Sequence, residues 1–270
     1  MLRSHRSHTP RVVVMTFVLT LVVSAAGSAQ TPEGPLTALQ LAVACAPPPV
    51  LVRPSATALR IVGSEDAVAR SLFGNPERLV VNGGTEQGME MGQQFFVRRP
   101  VRTGSSAGYP VMQSPDKSKG PALLVRTSGW VRVVGLHETT AIVSVDHLCG
   151  EILKDDYLER FEAPIVAEQA ASVDTSGELD FTSPARVLFG EEERRSAGIG
   201  DFMLIDRGTD EGVVPGARFA IYRDLHVSGV PLTPIGEATV VSTGPRMALV
   251  RINQARDAVY SGDYVVQRKP

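Results

Sequence analysis

The sequence predicts an all-β protein: two tandem small β-barrel or sandwich domains from an internal duplication, with little helix. Three observations carry that expectation. A block near the middle of the chain returns 124 residues later, since Asn82–Arg99 reads NGGTEQGMEMGQQFFVRR and Asp206–Arg223 reads DRGTDEGVVPGARFAIYR. A second block, Gly129–Leu158, aligns without a gap to Gly236–Val265, and the two pairs share 13 identities over 48 positions, where residue usage alone gives roughly 3. Short alternating segments are set between glycine- and proline-rich turns, and helical periodicity is nearly absent, which is the pattern of antiparallel β structure.

The elements follow in order. Residues 1–29 read as a secretory signal peptide. Arg3, Arg6 and Arg11 make a basic start without an acid, Val12–Val23 is apolar, and Gly27-Ser28-Ala29 offers small residues at the cleavage positions. A retained membrane anchor would need about 20 apolar residues, and this run is shorter. Residues 30–58 form a proline-rich preamble. Leu36, Leu39 and Val43 mark one short helix in it, and Pro47-Pro48-Pro49 forces an extended stretch after it.

Residues 59–161 form the first β-domain, with strands expected at 59–62, 78–82, 93–99, 123–126, 130–136 and 140–147. Residues 162–184 are small, polar and acidic, and read as a linker. Residues 185–268 form the second β-domain, with strands at 186–189, 202–206, 218–223, 236–242, 247–253 and 264–267. The polar linker leads to the expectation that residues 183–270 fold alone. The repeat tests alternation twice: Ala141, Val143 and Val145 align with Ala248, Val250 and Ile252, all apolar, so they mark the buried face of one strand. The alternate residues, among them Ile142 and Leu249, read as a mixed, half-wet face. The main difference between the copies is a long connection, 100–128, against a short one, 224–235.

Charge and cysteine content limit the function. Removing the leader leaves 24 Lys and Arg against 29 Asp and Glu, which argues against a nucleic-acid binder. Both cysteines, Cys45 and Cys149, lie in the exported part, where an oxidising compartment favours a disulfide between them. The alternative is two unbonded thiols.

Chemistry-bearing residues are sparse. His147, Cys149 and Glu151 alternate along one strand and could face one way, but zinc needs three or four ligands and the second copy has Gln254, Arg256 and Ala258 there. No metal and no cofactor are expected. The G-x-S-x-G elbow and the G-K-[ST] phosphate loop are both missing, so a hydrolase would need an unrecognised site, and no catalytic residue is assigned. The candidate binding face lies in the first domain. Arg98, Arg99 and Arg102 form the densest basic patch, and Trp130, the only tryptophan, shares an outer face with Arg132. An outward Trp beside an Arg is a binding anchor; the competing reading has the preamble or the long loop covering Trp130, and charge with proline protecting the strand end.

The order of strand, loop, strand, D/N-x-G-T-x-x-G-x-x-x-G-x-x-F-x-x-x-R, then G-x-x-x-V-V and a closing G-D-Y resembles a small β-domain of exported bacterial envelope proteins. It is similar to segments that follow LysM modules and to the C-terminal domain of the flagellar assembly protein T. Asp155-Asp156-Tyr157 departs from the closing Gly-Asp-Tyr. The resemblance implies a periplasmic or secreted, non-enzymatic protein that binds or scaffolds another macromolecule; an envelope protein and a glycan both stay open as the partner. An adaptor of a flagellar or secretion machine is the alternative. No LysM module is present in the sequence, so glycan binding is not carried over.

Overall fold

Alternation of apolar and polar residues decides which side of each strand is buried, and the computed structural model of the chain is built almost wholly on it. It describes residues 35–50, 52, 55, 57–66, 70–74, 77–100, 124–166 and 176–269. Residues 1–34 and 101–123 lie outside them. After helix α1 (Ala38–Cys45) come β1 (Ile61–Ser64), β2 (Leu72–Phe73), β3 (Arg78–Val81), β4 (Gln94–Pro100), β5 (Val125–Leu136), β6 (Ala141–Leu148), β7 (Ile152–Leu153) and β8 (Tyr157–Arg160). A second series follows: β9 (Glu178–Gly190), β10 (Ser196–Ala197), β11 (Phe202–Ile205), β12 (Arg218–Arg223), β13 (Thr233–Thr243), β14 (Ala248–Ala255), β15 (Val259–Tyr260) and β16 (Tyr264–Lys269). The protein is all-β in class.

The two series are wired alike. In the second, β11-β14-β13-β12-β16-β9 closes into a barrel. In the first, the order is β1-β3-β6-β5-β4-β8, and its two ends are joined by bonds from the Leu158 N–H to the Leu59 carbonyl (2.8 Å) and from the Ile61 N–H to the Asp156 carbonyl (3.0 Å). Each strand of one ring thus has a counterpart at the same place in the other. Two short pairs, β2–β7 and β10–β15, also correspond.

The inward faces fill as alternation dictates. Val131, Val133, Ala141, Val143 and Val145 pack with Phe95 and Val97 in the first barrel, and Ala238, Val240, Ala248, Val250 and Ile252 pack with Phe219 and Ile221 in the second. The repeated G-T-x-x-G turn is a single 3₁₀ turn in both, Thr85–Gln87 and Thr209–Glu211, closed by Gly88 and Gly212 at φ 73° and 79°. Gly84 and Gly208 open these turns. A Cβ on Gly84 would run into the carbonyl oxygens of His137 and Glu138, and one on Gly208 into those of Gly244 and Pro245. Gly84→Ala and Gly208→Ala are therefore each expected to cost about 1–3 kcal/mol of stability by overpacking, read as a lower urea midpoint at unchanged slope.

Several expectations need correction. Segments 123–126 and 130–136 are one strand from Val125, because Thr127 and Gly129 stay paired to Arg98 and Val97 across a bulge. The expected linker 162–184 is in part strand. β9 begins at Glu178, since the last strand needs a partner along its whole length: Glu178 pairs with Lys269 and Leu179 with Arg268. Pro184 is tolerated there because the register slips between Ala185 and Asp180. The half-wet face departs from expectation at Leu249 alone, which is 1% exposed; Ile142, Ser144, Arg251 and Asn253 are half-buried and Asp146 is exposed.

Helix α1 is the reason. Thr37 caps it with a full capping box to Gln40, and it ends before Pro47, whose ring excludes helical geometry from the preceding residue. Its Val43, with Ala46 just beyond it, packs on Leu188, Phe189, Phe202, Leu204, Val241, Met247 and Leu249 outside the second barrel. Its Ala44 and Cys45 pack on Phe96 and Trp130 outside the first. One helix is shared by two outer faces. A fragment 183–270 would lose both α1 and the start of β9, and would expose that apolar face. It is expected to aggregate or to unfold without cooperativity, as judged by sedimentation and thermal circular dichroism. A soluble fragment with a sharp transition would show that the second barrel does not need the helix.

Candidate functional site: the junction under helix α1

Of the residues that sequence reasoning nominated, Trp130, Arg98, His147, Cys45 and Cys149 meet at this junction, but as packed groups. Trp130 projects from the outer face of β5, as alternation requires, and α1 covers it to 5% exposure. Its indole stacks on the cross-strand neighbour His147 with ring centres 4.5 Å apart and an interplanar angle of 22°. Phe161 lies 5.5 Å away and Phe96 meets it edge-on at 6.2 Å. Such aromatic pairs stabilise beyond their buried area. The outward Trp is thus the anchor of α1, and no free face remains at this position. Its counterpart Glu237 instead pairs with Arg268 at 2.6 Å.

Arg98, expected in an exposed basic patch, is 6% exposed. Its guanidinium lies 4.1 Å from the Phe96 ring centre, contacts Glu159 at 3.2 Å and donates to the Thr127 hydroxyl, which in turn donates to the Ala46 carbonyl at 3.2 Å. Burial lowers the Arg98 pKa, opposed by Glu159. A cation is held in this site because its donors are matched, and in that state it ties β4 to the end of α1.

Arg99 is also engaged. Its Nε and Nη2 grip the two carboxylate oxygens of Asp156 at 2.6 and 2.7 Å, and Nη2 reaches the Glu151 carbonyl at 3.0 Å. Asp156 also accepts from the Leu153 N–H at 2.9 Å. The second barrel repeats this arrangement: Arg223 grips Asp263 at 3.0 and 2.8 Å, Nη2 reaches the Ala258 carbonyl at 2.6 Å, and Asp263 accepts from the Tyr260 N–H at 2.7 Å. The terminal Arg of the first repeated block and the Asp of the closing motif are therefore partners in one structural clamp. Arg132 is exposed and paired with Asp146 at 2.8 Å. Arg102 lies outside the described residues. The face expected from Trp130, Arg98, Arg99, Arg102 and Arg132 is not assembled as open surface among the described residues.

The disulfide is formed. Cys45 and Cys149 are joined across 104 residues with their Cα atoms 5.2 Å apart. It fixes the last residue of α1 to the end of β6, one strand position beyond Leu148 and beside His147. The cysteine sulfurs and a His147 ring nitrogen all lie within 4.8 Å of one another. The third member of this set is Cys45; Glu151 is drawn away to Arg126 and Arg99 at 3.0 and 3.1 Å. Hydrogen bonds from Arg126 and then Arg99 hold the Glu151 carboxyl below its ordinary pKa.

Sequence reasoning missed Phe96, Phe161 and His147 as parts of one site. The signals were there in part: Phe96 alternates with the inward Phe95 and Val97, and the β5–β6 hairpin sets His147 opposite Trp130. The expected Cys45–Cys149 bridge placed the end of α1 near β6; what was missing was that the helix lies over Trp130 and reaches the second barrel. No protein-family model matches this chain, and no curated protein matches it.

Proposed function

We propose that this is an exported, non-enzymatic envelope protein, periplasmic or secreted, that works as a two-barrel binding or scaffolding body. The observation that carries the reading is the disulfide-anchored helix α1, which packs on both barrels at once. A body tied together in this way presents partner contacts at fixed separation, which is what a scaffold requires. Export is supported by the basic start and apolar run of residues 1–29, and by a disulfide between the chain's only two cysteines. The partner is an envelope protein or a glycan. Apolar surface for a protein partner is offered by the β12–β13 connection, where Leu225, Val227 and Val230 are 50%, 56% and 45% exposed.

An adaptor role in a flagellar or secretion machine is the second reading. It draws on the resemblance of the repeated turn and its closing Arg and Asp-Tyr to the C-terminal domain of the flagellar assembly protein T. Descent of the two barrels from one duplicated domain belongs to the same proposal, supported by the matched strand orders and the matched Arg–Asp clamps.

The test is in-cell photo-crosslinking with the complete chain. A crosslinking residue at Val227 should give a discrete adduct from the envelope fraction, while one at the exposed Glu138 should not. The processed chain should carry no free thiol. Retention in the cytoplasm with free thiols would defeat the export reading, and the absence of a Val227-specific adduct would defeat the binding surface.

A further inference from the structure

We propose that Cys45, His147 and Cys149 form a zinc site that opens when the disulfide between the two cysteines is reduced. Their ligand atoms already converge within 4.8 Å. Tetrahedral zinc holds sulfur and nitrogen at roughly 2.0–2.3 Å, which separates neighbouring ligands by roughly 3.3–3.8 Å. The set is therefore close to the required span once the sulfur–sulfur bond is gone. The three residues sit on two elements, α1 and the β6 end, so no large rearrangement is needed to bring them together.

The chemistry balances with a dithiol as reductant. Its thiolate attacks the Cys149 sulfur, the Cys45 sulfur leaves, and a second exchange releases Cys149. The dithiol becomes a disulfide, and two electrons and two protons pass to the protein as two thiols. Zinc(II) then displaces both thiol protons, and the neutral imidazole of His147 adds its lone pair. Two thiolates and one imidazole leave the fourth position to water, the open arrangement that three protein ligands give. Attack at Cys149 follows from access. Cys149 is half-buried and lines a surface cleft with Leu72, Phe73, Glu77 and Gly150, whereas Cys45, at the end of α1, is 7% exposed on the face packed against Phe96 and Trp130.

The second barrel serves as an internal comparison. It has Gln254 where the first has His147, and Arg256 where the first has Cys149. The same ring of strands forms without them, so neither residue is required by the barrel. The disulfide explains the two cysteines but not the imidazole beside them. Trp130 stacks on that imidazole and fixes its plane.

Cobalt(II) is the probe, added to the full-length mature protein with and without prior reduction by a phosphine. The reduced protein should bind one cobalt, with a near-ultraviolet thiolate-to-cobalt band and tetrahedral d–d bands. Trp130, the only tryptophan, should be quenched in step, because it lies against His147. The oxidised protein and the Cys45→Ser/Cys149→Ser variant should show neither signal. His147→Ala should bind roughly tenfold more weakly or worse, given what loss of mere supporting residues does to metal affinity. A folded reduced protein that takes no cobalt overturns the proposal, as does cobalt binding without Trp130 quenching or with equal affinity in His147→Ala. Far-ultraviolet circular dichroism of the reduced protein is recorded alongside. Loss of the fold on reduction with no recovery on adding metal also overturns it.

Discussion

Asp156→Ala and Asp263→Ala should each lower stability by about 3–5 kcal/mol, the scale for removing one partner of a buried ion pair. Asp156 is 3% exposed and Asp263 6%. Each carboxylate takes a two-pronged grip from an arginine and a bond from a backbone N–H three residues upstream, and Asp156 also accepts from the Ser128 hydroxyl, so truncation strands at least three donors together. Asp263 is the main influence raising the Arg223 pKa; for Arg99 burial is the largest single influence and lowers the pKa, but Asp156 and Glu151 together outweigh it and leave the pKa raised. The measurement is urea denaturation with hydrogen exchange at β8 and β16. Each substitution should strip protection first from its own barrel. Equal small losses in both barrels would mean that the clamps are surface pairs of little consequence.

Removing the disulfide should have a comparable effect that reaches further. Cys45→Ser/Cys149→Ser opens a loop of 104 residues, for which chain entropy predicts about 4–5 kcal/mol. The bond itself lies against the first barrel, but α1 also roofs Leu204 and Leu249 of the second. Amide protection in β11 and β14 should therefore fall along with that of β5 and β6. If only the first barrel loosens, α1 does not couple the two. If neither loosens, helix packing alone holds α1 in place.

The barrels were legible because their signals are local. Alternation in 141–145 and 248–252 set the inward faces, and the glycine spacing set the turns. The helix was legible too, from Leu36, Leu39 and Val43. The expected Cys45–Cys149 bridge ties it to the first barrel; what could not be read was that it also docks on the second, because no pattern within the preamble says so. It meets both, and that choice decides the rest. Trp130 becomes an anchor, Leu249 becomes dry, and Arg98 becomes a buried link to Ala46. The clamp was half visible: Arg99 with Arg223 and Asp156 with Asp263 recur in the alignment, but the two blocks were read separately. Matched charges of opposite sign in different blocks of a repeat are a signal for a partner pair. The extension of β9 was hidden by Pro184, Gly177 and the acidic residues around them, which read as linker until the edge of β16 is seen to need cover.

The position of α1 in the chain sets an order of assembly. The helix is near the beginning, yet Val43 packs on Leu249, more than 200 residues later. Contacts of that separation close last, because the loop entropy must be met before they form. The helix can dock on the first barrel once Phe96, Trp130 and Cys149 are made, but its other face waits until almost the whole chain is finished. On the export route proposed above, a fold that cannot be completed until its final strands arrive stays incomplete until the crossing is over.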